Sequence, residues 1–424
     1  MKQSYIYTII FICLGVVVKA QNNNSAYSSI GLGNIEQSTL DRTSGMANAG
    51  IATTSNRFML HANPASYSFL DDRLFHFESA IRFRNVNYVS ERAVTTTSQN
   101  QSNDMQFKKI AAAIKLKPKI GISVGLLPFS NSNYSYFGQK SIIGSSNTAD
   151  VYNEGTGSIN QFYGAVAYKL TKRFSVGVQM SYLFGQMQRK ETIFTGIGDS
   201  VLITNDNTSY TNPVFKGGFI YNIVSKPKLK INLAAAGSVQ TKLRANHDIN
   251  VTYGRASIFS EELYKSTFFT LPKNFTAGFN TQFNDAYSIA FDYKYQNWAA
   301  SNVSGISYQL VDAERLALGF EYSKKLEFAD PYTNQKVKFE KYFFQAGVFY
   351  HNSYTRVYGE QLKDYGLTLG LGINSVRNPL GFIFNFEFGR RGTIEKGLIR
   401  ENYSQIGFTL CYRDFWYTTK KRYN

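Results

Sequence analysis

The sequence has little of what stabilises or anchors most exported proteins. It contains 2 cysteines, 8 prolines and 2 tryptophans in 424 residues. Residues 1–20 are typical of a secretory signal, with Lys2 ahead of an apolar run over residues 6–18 that is too short to span a bilayer. Once this signal is removed, Cys411 is the only cysteine left. An exported chain of this length with one thiol has no intramolecular disulfide framework.

Long apolar runs are also missing. After residue 20 no stretch approaches the 18 consecutive apolar residues of a membrane-spanning helix, so helical spans are excluded. The mean hydropathy of −0.27, taken alone, suggests a soluble protein. Aromatic residues nevertheless make up 16% of the chain, with 34 Phe and 30 Tyr, alongside 33 Gly. This combination is typical of a β-barrel whose strands alternate between lipid and water.

Signatures of catalysis and of cofactor binding are absent from the sequence. The 4 histidines are widely spaced, with no pair at metal-ligand spacing and no paired cysteines. We therefore expect neither an enzyme, nor a bound metal, nor a cofactor. The net charge of +17 raises the question of nucleic acid. Export and the lack of a basic helix argue against it, and we interpret Lys and Arg as lining the lumen, the turns and the headgroup levels.

Alternation with a period of two dominates the rest of the chain. Over residues 174–184 one strand face is large and apolar and the other is small or polar: Phe174, Val176, Val178, Met180, Tyr182 and Phe184 against Ser175, Gly177, Gln179 and Ser181. The pattern often lasts longer than a soluble strand and suits tilted membrane strands. Candidate strands begin near Leu74, Phe107, Lys119, Gln161, Phe174, Tyr210, Leu229, Phe275, Tyr287, Arg315, Tyr342, Tyr365, Leu380 and Tyr403. Residues 71–424 are therefore predicted to be all-β, a transmembrane antiparallel β-barrel of about 14 strands.

The connections between candidate strands alternate in length. Residues 169–173, 222–228 and 282–286 predict tight turns. Four polar stretches predict long loops, at residues 94–104, 140–157, 190–207 and 246–266. Short turns at one rim and long loops at the other are typical of outer membrane barrels.

Residues 21–70, which we call the N-terminal segment, do not follow the strand pattern. Irregular backbone is tolerated at membrane depth only inside protein or a water-filled cavity, so a plug within the lumen is the natural place for it. Asn63-Pro64-Ala65 is a turn signal. We hypothesise that Asn63, Pro64 and Ala65, with Gly45 and Gly50, belong to a hatch that gates the lumen. The alternative is an ordinary structural turn.

A few residues of the predicted wall are candidates for specific roles. Asp292 and Lys294 fall on the inner face of their strand and are predicted to line the lumen, where Asp292 either pairs with an inner Arg or Lys or binds a ligand headgroup. Phe343 lies in a segment that is apolar on both faces and either lines a greasy lumen or packs on the hatch. Trp298 and Trp416 are predicted to be interfacial belt residues.

Several short segments resemble a known family. They are residues 27–33 and 45–52, then Asn63-Pro64-Ala65-Ser66-Tyr67, Leu271-Pro272, Phe291-Asp292-Tyr293 with Asn297-Trp298, and residues 400–416. In these segments the chain resembles the FadL-type outer membrane transporters of long-chain fatty acids and other hydrophobic compounds, and especially their uncharacterised relatives. The resemblance implies 14 strands around an N-terminal hatch, and an opening in the wall through which ligands leave sideways.

These observations lead to one expected function and one alternative. We expect a passive channel for hydrophobic or amphipathic, fatty-acid-like small molecules in the outer membrane of a Gram-negative bacterium, gated by the N-terminal segment. Its expected partners are the small-molecule ligand and outer membrane lipid. The alternative is a non-transporting barrel that serves as an accessory or shuttle for secretion or surface proteins. A soluble sandwich adhesin ranks third.

Overall fold

The computed structural model describes residues 25–72, 74–90, 100–142, 147–194, 201–329, 336–375 and 378–415, and these residues form one antiparallel sheet of nineteen strands. The predicted signal over residues 1–20 lies outside this range. The strands of the first half are β1 (Asn34–Ile35), β2 (Leu74–Val89), β3 (Gln101–Lys117), β4 (Ile120–Asn131), β5 (Tyr134–Ser141), β6 (Thr148–Lys169), β7 (Phe174–Phe194), β8 (Val201–Lys226) and β9 (Leu229–Ser238). Those of the second half are β10 (Thr241–Tyr253), β11 (Ala256–Leu271), β12 (Asn274–Phe283), β13 (Tyr287–Gln296), β14 (Tyr308–Leu310), β15 (Ala313–Ala329), β16 (Lys336–Val357), β17 (Glu360–Asn374), β18 (Leu380–Arg391) and β19 (Arg400–Phe415).

The sheet closes into a barrel because the last strand pairs with the second. β19 runs antiparallel to β2, from Arg400 opposite Val89 to Phe415 opposite Leu74. β1 belongs to the N-terminal segment, and four wall strands consist of two parts each, namely β4 with β5, β9 with β10, β11 with β12 and β14 with β15. The wall therefore has 14 strands, and the predicted fold class is confirmed.

The two faces of the wall differ as the alternation requires. On β7 the outward Val178 is 59% exposed, whereas the inward Ser175 is fully buried. Outward aromatic and aliphatic side chains are exposed around the whole barrel, among them Phe162, Phe219, Phe279, Leu318, Val348, Leu369 and Ile406. A continuous exposed apolar band is unstable in water and is stable in hydrocarbon. The wall therefore has the surface of a membrane-spanning barrel.

The predicted long loops are largely wrong. Residues 148–157, 190–194, 201–207 and 246–266 continue as strands apart from one two-residue turn, and 94–99 lie outside the described residues. The hairpins stay paired far from the apolar band, for example Ile193 opposite Leu202. Beyond the bilayer both faces meet water, so the hydrophobic alternation fades while the backbone ladder continues. Strands β6, β7 and β8 consequently reach 22, 21 and 26 residues, about twice what a bilayer needs.

The helices among the described residues are short 3-10 turns at Ala26–Ser29, Ser44–Met46, Pro64–Phe69, Trp298–Ser301 and Glu395–Gly397. None of them is long and apolar enough to cross a membrane. Three of the five lie in the N-terminal segment, which runs from the rim with long strands, near Ile399, to the rim with short turns, near Arg413.

Candidate functional site

The N-terminal segment fills the interior of the barrel. Leu32, Met46, Ala47 and Tyr67 are completely buried. The segment contacts the inward face of the wall on many sides, and each of its turns is seated on particular wall strands.

The turn at Asn63-Pro64-Ala65 is seated on β7 and β8. The Asn63 side chain accepts a hydrogen bond from the Ala65 amide at 3.0 Å and donates to the Phe219 carbonyl of β8 at 2.9 Å. Two wall glycines that pair with each other, Gly177 and Gly218, make room for it. A Cβ on Gly177 would lie 2.4 Å from the Ala65 nitrogen. The turn and the wall are thus too close together for a side chain at position 177.

The turn from Gly45 to Gly50 is seated on the opposite side. A Cβ on Gly45 would lie 2.5 Å from the Gly370 Cα on β17. Asp292 projects inward from β13, and one of its carboxylate oxygens accepts hydrogen bonds from the Gly50 and Ile51 amides at 2.8 and 2.9 Å. The partner of this carboxylate is therefore the backbone of the N-terminal segment, rather than the inner Arg or Lys that the sequence suggested.

Arg42 joins the N-terminal segment to two wall strands through buried ion pairs. Its guanidinium lies 2.7 Å from Glu321 on β15 and 2.6 Å from Glu340 on β16, and the three side chains are nearly buried. The same guanidinium stacks on Phe343, 4.4 Å from the ring centroid, and on Phe58. Phe343 thus packs against the N-terminal segment, which was one of the two roles the sequence left open for it.

A cavity of about 250 Å³ lies between the N-terminal segment and β4, β6–β9, β11–β13 and β15. One part of its lining is apolar: Leu127, Phe129, Leu183, Val214, Leu271 and Trp298. The other part is polar and carries three cations, Lys216, Lys294 and Arg315, with two carboxylates, Glu36 and Asp292. Lys294, predicted to be luminal, points inward and donates to the Gln37 side chain at 3.2 Å. The cavity is therefore amphipathic and small.

Trp298 is not an interfacial belt residue. It is fully buried and stacks on Tyr354, with ring centroids 4.5 Å apart. It belongs to an apolar cluster inside the long-strand end of the barrel, with Ile30, Leu32, Leu243 and others. A short helix after β13 turns the indole inward, which strand alternation cannot predict. Trp416 lies outside the described residues.

The wall is open between β3 and β4. These strands pair only from Ile110 opposite Leu126 down to the short-turn rim. Above that level β4 pairs instead with β1 of the N-terminal segment, Ile35 opposite Ser130. Among the described residues, no strand pairing joins the upper half of β3 to β5 across this gap. The opening is thus covered from within by a two-residue strand.

Charged groups hold β1 in place beside the opening. Glu36, directly after β1, forms an ion pair with Lys108 of β3, lies 3.4 Å from Arg82 of β2, and accepts a hydrogen bond from Asn131 at 3.0 Å. Burial by itself raises the pKa of Glu36. The positive charges of Lys108 and Arg82 outweigh this effect and hold that pKa below its usual range. Exposed apolar side chains, Phe107 and Leu126, lie on the lipid side of the same opening.

His61 is a buried titratable group of the N-terminal segment. Its Nδ1 is 3.0 Å from the Tyr67 hydroxyl and 3.3 Å from that of Tyr163. Burial, with the positive charge of Lys109, lowers the pKa of His61 to about 3, so the imidazole is neutral at physiological pH. Within the part of the chain that the structure describes, no group of His, Cys, Asp and Glu is arranged to hold a metal ion.

Sequence reasoning placed Asp292, Lys294 and Phe343 on inward positions but missed Arg42 and Glu36, and it did not locate the opening that the family resemblance implied. The only signal for the opening is local. Alternation in the third wall strand breaks at Ser130–Asn133, where β4 ends and β5 begins.

Comparison with known proteins gives one family and a shared fold. A family model described as BamG matches residues 1–424. Similar solved structures include a FadL homologue from Pseudomonas aeruginosa, with 13% identity, 84% of this chain and 93% of that chain covered, and a TM-score of 0.55. The toluene transporter TbuX from Ralstonia pickettii has 15% identity, with 83% and 92% covered and a TM-score of 0.56. The toluene transporter TodX from Pseudomonas putida has 14% identity, with 88% and 98% covered and a TM-score of 0.54.

No curated protein matches the chain. At these identities the solved structures show that the fold is that of FadL-type outer membrane barrels.

Proposed function

This chain belongs to the BamG family, and on that premise we propose that it is a passive channel in the outer membrane of a Gram-negative bacterium. Small hydrophobic or amphipathic molecules would enter from the long-strand rim, rest in the amphipathic cavity and leave sideways through the opening between β3 and β4. The N-terminal segment is the gate. Since the sequence has no nucleotide-binding or ion-coupling motif, movement would run downhill.

The observation that carries this proposal is the continuity of cavity and opening. Ile35, Glu36, Leu127 and Phe129 line the cavity, and they also lie where β1 covers the gap in the wall. A displacement of β1 by a few ångströms would therefore connect the cavity to the lipid side of Leu126.

The size of the cavity limits what it holds at rest. About 250 Å³ is somewhat more than the engineered cavity of about 150 Å³ that binds benzene, and is below the usual range of drug-sized pockets. We therefore propose molecules of one ring or a short chain as the resting occupants. A long-chain fatty acid would require the N-terminal segment to shift.

A reversible lock on β1 tests the channel. Ile35 and Ser130 are direct partners, and since the Glu36 amide donates to the Phe129 carbonyl, they form a non-hydrogen-bonded pair, with Cα atoms about 4.5 Å apart, within reach of a disulfide. In a Cys411→Ser background, Ile35→Cys with Ser130→Cys is expected to abolish uptake of a labelled monoaromatic compound by cells when oxidised. Reduction should restore it.

The controls are the two single-cysteine variants at equal surface abundance, in which oxidation should change nothing. Uptake at an unchanged rate through the oxidised double variant would contradict the proposed exit path. Deleting residues 22–70 gives an independent measurement, because a gated channel should then leak hydrophobic probes.

One observation favours the second candidate, a non-transporting barrel that assists secretion or assembly of surface proteins. Strands β6, β7, β8, β10 and β11 extend the wall beyond the apolar band on one side of the barrel. Transport does not need such a wall, whereas a protein partner could dock on it.

The same lock separates the two candidates. If the oxidised variant loses uptake of the aromatic probe but keeps normal levels of surface proteins, the channel is supported. If the lock is harmless, while replacing residues 191–204 by a short turn lowers the levels of surface proteins, the accessory role is supported.

A further inference from the structure

Three successive turns at the short-turn rim carry cations and no acidic residue. They are the β3–β4 turn with Lys117-Pro118-Lys119, the β6–β7 turn with Lys172-Arg173 and the β8–β9 turn with Lys226-Pro227-Lys228. All six basic residues are exposed. Two of the chain's 8 prolines stand between lysines here, and proline fixes the backbone on which those lysines are presented.

The three turns form one continuous surface, which we call the cationic arc. The Lys169 amide donates to the Lys119 carbonyl at 2.8 Å, which joins the first turn to the second. The Asn222 amide donates to the Arg173 carbonyl at 2.8 Å, which joins the second turn to β8 just before the third. Hydrogen bonds thus hold the six cations in a fixed row along one side of the rim.

Nearby carboxylates do not neutralise the arc. Asp72 pairs with Lys115 at 3.0 Å, and Asp285 pairs with Lys230 at 2.7 Å and with Lys338. These lysines flank the arc and already engage the acidic groups. Within the described residues none of the six arc cations forms an ion pair, so their charge is available to an external anion.

The arc lies at the edge of the lipid-facing band. Leu116, Tyr168, Leu170, Tyr221 and Ile223 are all exposed, and they stand one to five residues from arc cations along the same strands. Lysine and arginine side chains so placed lie with their stems along apolar surface and their charges at the headgroup level. A soluble acidic protein would not need this apolar border.

We infer that the cationic arc is a binding site for the headgroups of anionic phospholipids in the leaflet that meets the short-turn rim. The arc holds phosphodiester groups electrostatically, while the exposed Leu, Ile and Tyr side chains above it contact the acyl chains. Lipid of this class would therefore be enriched beside β3 to β9, next to the opening between β3 and β4.

The test measures lipid selectivity of the intact mature protein in bilayers. Spin-labelled phosphatidylglycerol and phosphatidylcholine are compared in vesicles, and the motionally restricted fraction gives their relative affinity for the barrel. The native protein is expected to prefer phosphatidylglycerol by about tenfold at low salt and less at 0.5 M salt. The variant K117Q/K119Q/K172Q/R173Q/K226Q/K228Q should lose most of this preference.

A matched variant removes six exposed cations elsewhere on the barrel: K242Q, R244Q, R255Q, K273Q, K363Q and R390Q. It should keep the native preference. Equal loss in the two variants would overturn the inference, because net charge and not the arc would then set selectivity. The native protein also provides a test on its own. If it shows no preference for phosphatidylglycerol at low salt, the lipid site is refuted, and an acidic protein becomes the expected ligand of the arc. Heat-modifiable migration on gels checks that each variant is folded.

Discussion

Replacing Arg42 by alanine should release the N-terminal segment from two wall strands at once. The guanidinium contacts Glu321 and Glu340, and none of the three side chains is more than 10% exposed. Its removal takes away the ion-pair partner of two buried carboxylates, and it removes the stacking on Phe58 and Phe343.

The magnitude follows from the burial of these groups. Removing one partner of a buried ion pair costs about 3–5 kcal/mol. Loss of the ring contacts adds about 1 kcal/mol. Even the ion-pair loss alone raises the undocked population of the N-terminal segment by roughly 100- to 4,000-fold, since each 1.4 kcal/mol is about a factor of ten. A change of that size is measurable although the barrel itself stays folded.

Hydrogen exchange of the backbone amides of residues 40–60 in the detergent-solubilised protein measures this population. Arg57→Ala is the matched control, because Arg57 stacks on Phe339 but forms no ion pair with the described residues, so protection should hardly change. Combining Arg42→Met with Glu321→Gln and Glu340→Gln removes all the charges and should restore most of the protection. Unchanged exchange in Arg42→Ala would refute the reasoning.

Three further predictions concern Gly177, His61 and the lipid-facing Val178. Gly177→Ala places a Cβ 2.4 Å from the backbone of the seated turn and should raise exchange of residues 60–70, whereas Gly217→Ala, with nothing within 4 Å, should not. Because the pKa of His61 is about 3 in the folded protein, the stability it contributes is present above its ordinary value near 6.5 and is lost as pH falls toward 3. About 2 kcal/mol of this stability is lost at pH 5. Hydrogen exchange at pH 5 and 7.5, compared with that of His61→Gln, measures the loss. Val178→Arg, in the apolar band, should lower the free energy of unfolding in lipid by about 2–4 kcal/mol. Ile258 is equally exposed but lies in the extended wall, so Ile258→Arg should change the free energy of unfolding little. Urea titration measures both variants. Equal losses of stability would contradict the lipid-facing assignment of Val178.

The barrel itself was predictable because hydrocarbon imposes a strict rule on each strand. Wherever a strand crosses the bilayer, every second side chain must be apolar, and residues such as Val178 and Leu369 carry that signal locally. The 14 predicted strand starts correspond one to one with the wall strands. Outside the bilayer the rule lapses, which is why residues 148–157 and 246–253 were interpreted as loops although their backbones pair.

The contacts inside the lumen were not predictable from one sequence. Arg42 meets Glu321 and Glu340 about 280 to 300 residues further along the chain, and no local pattern records such a meeting. The paired glycines Gly177 and Gly218 are a partial exception. Small residues at facing inward positions do indicate that something packs there, but not which turn does so. The prediction for Trp298 was wrong for a related reason, because a short helix takes this residue out of the strand register.

The two halves of the N-terminal segment differ in how much must break before they move, and this bears on which of them acts as the gate. Gly45, Gly50 and the Asn63-Pro64-Ala65 turn, predicted as gate elements, lie in the half that is anchored by Arg42, Asp292 and close backbone contacts. β1, by contrast, pairs over two residues, and its side-chain anchors are the ion pair of Glu36 with Lys108 and the hydrogen bond from Arg391 to Asn34. Local opening favours the element with the fewest buried contacts. We therefore expect β1 to move first while the anchored turns stay in place. The anchored turns then fix the position of the gate, and β1 opens it.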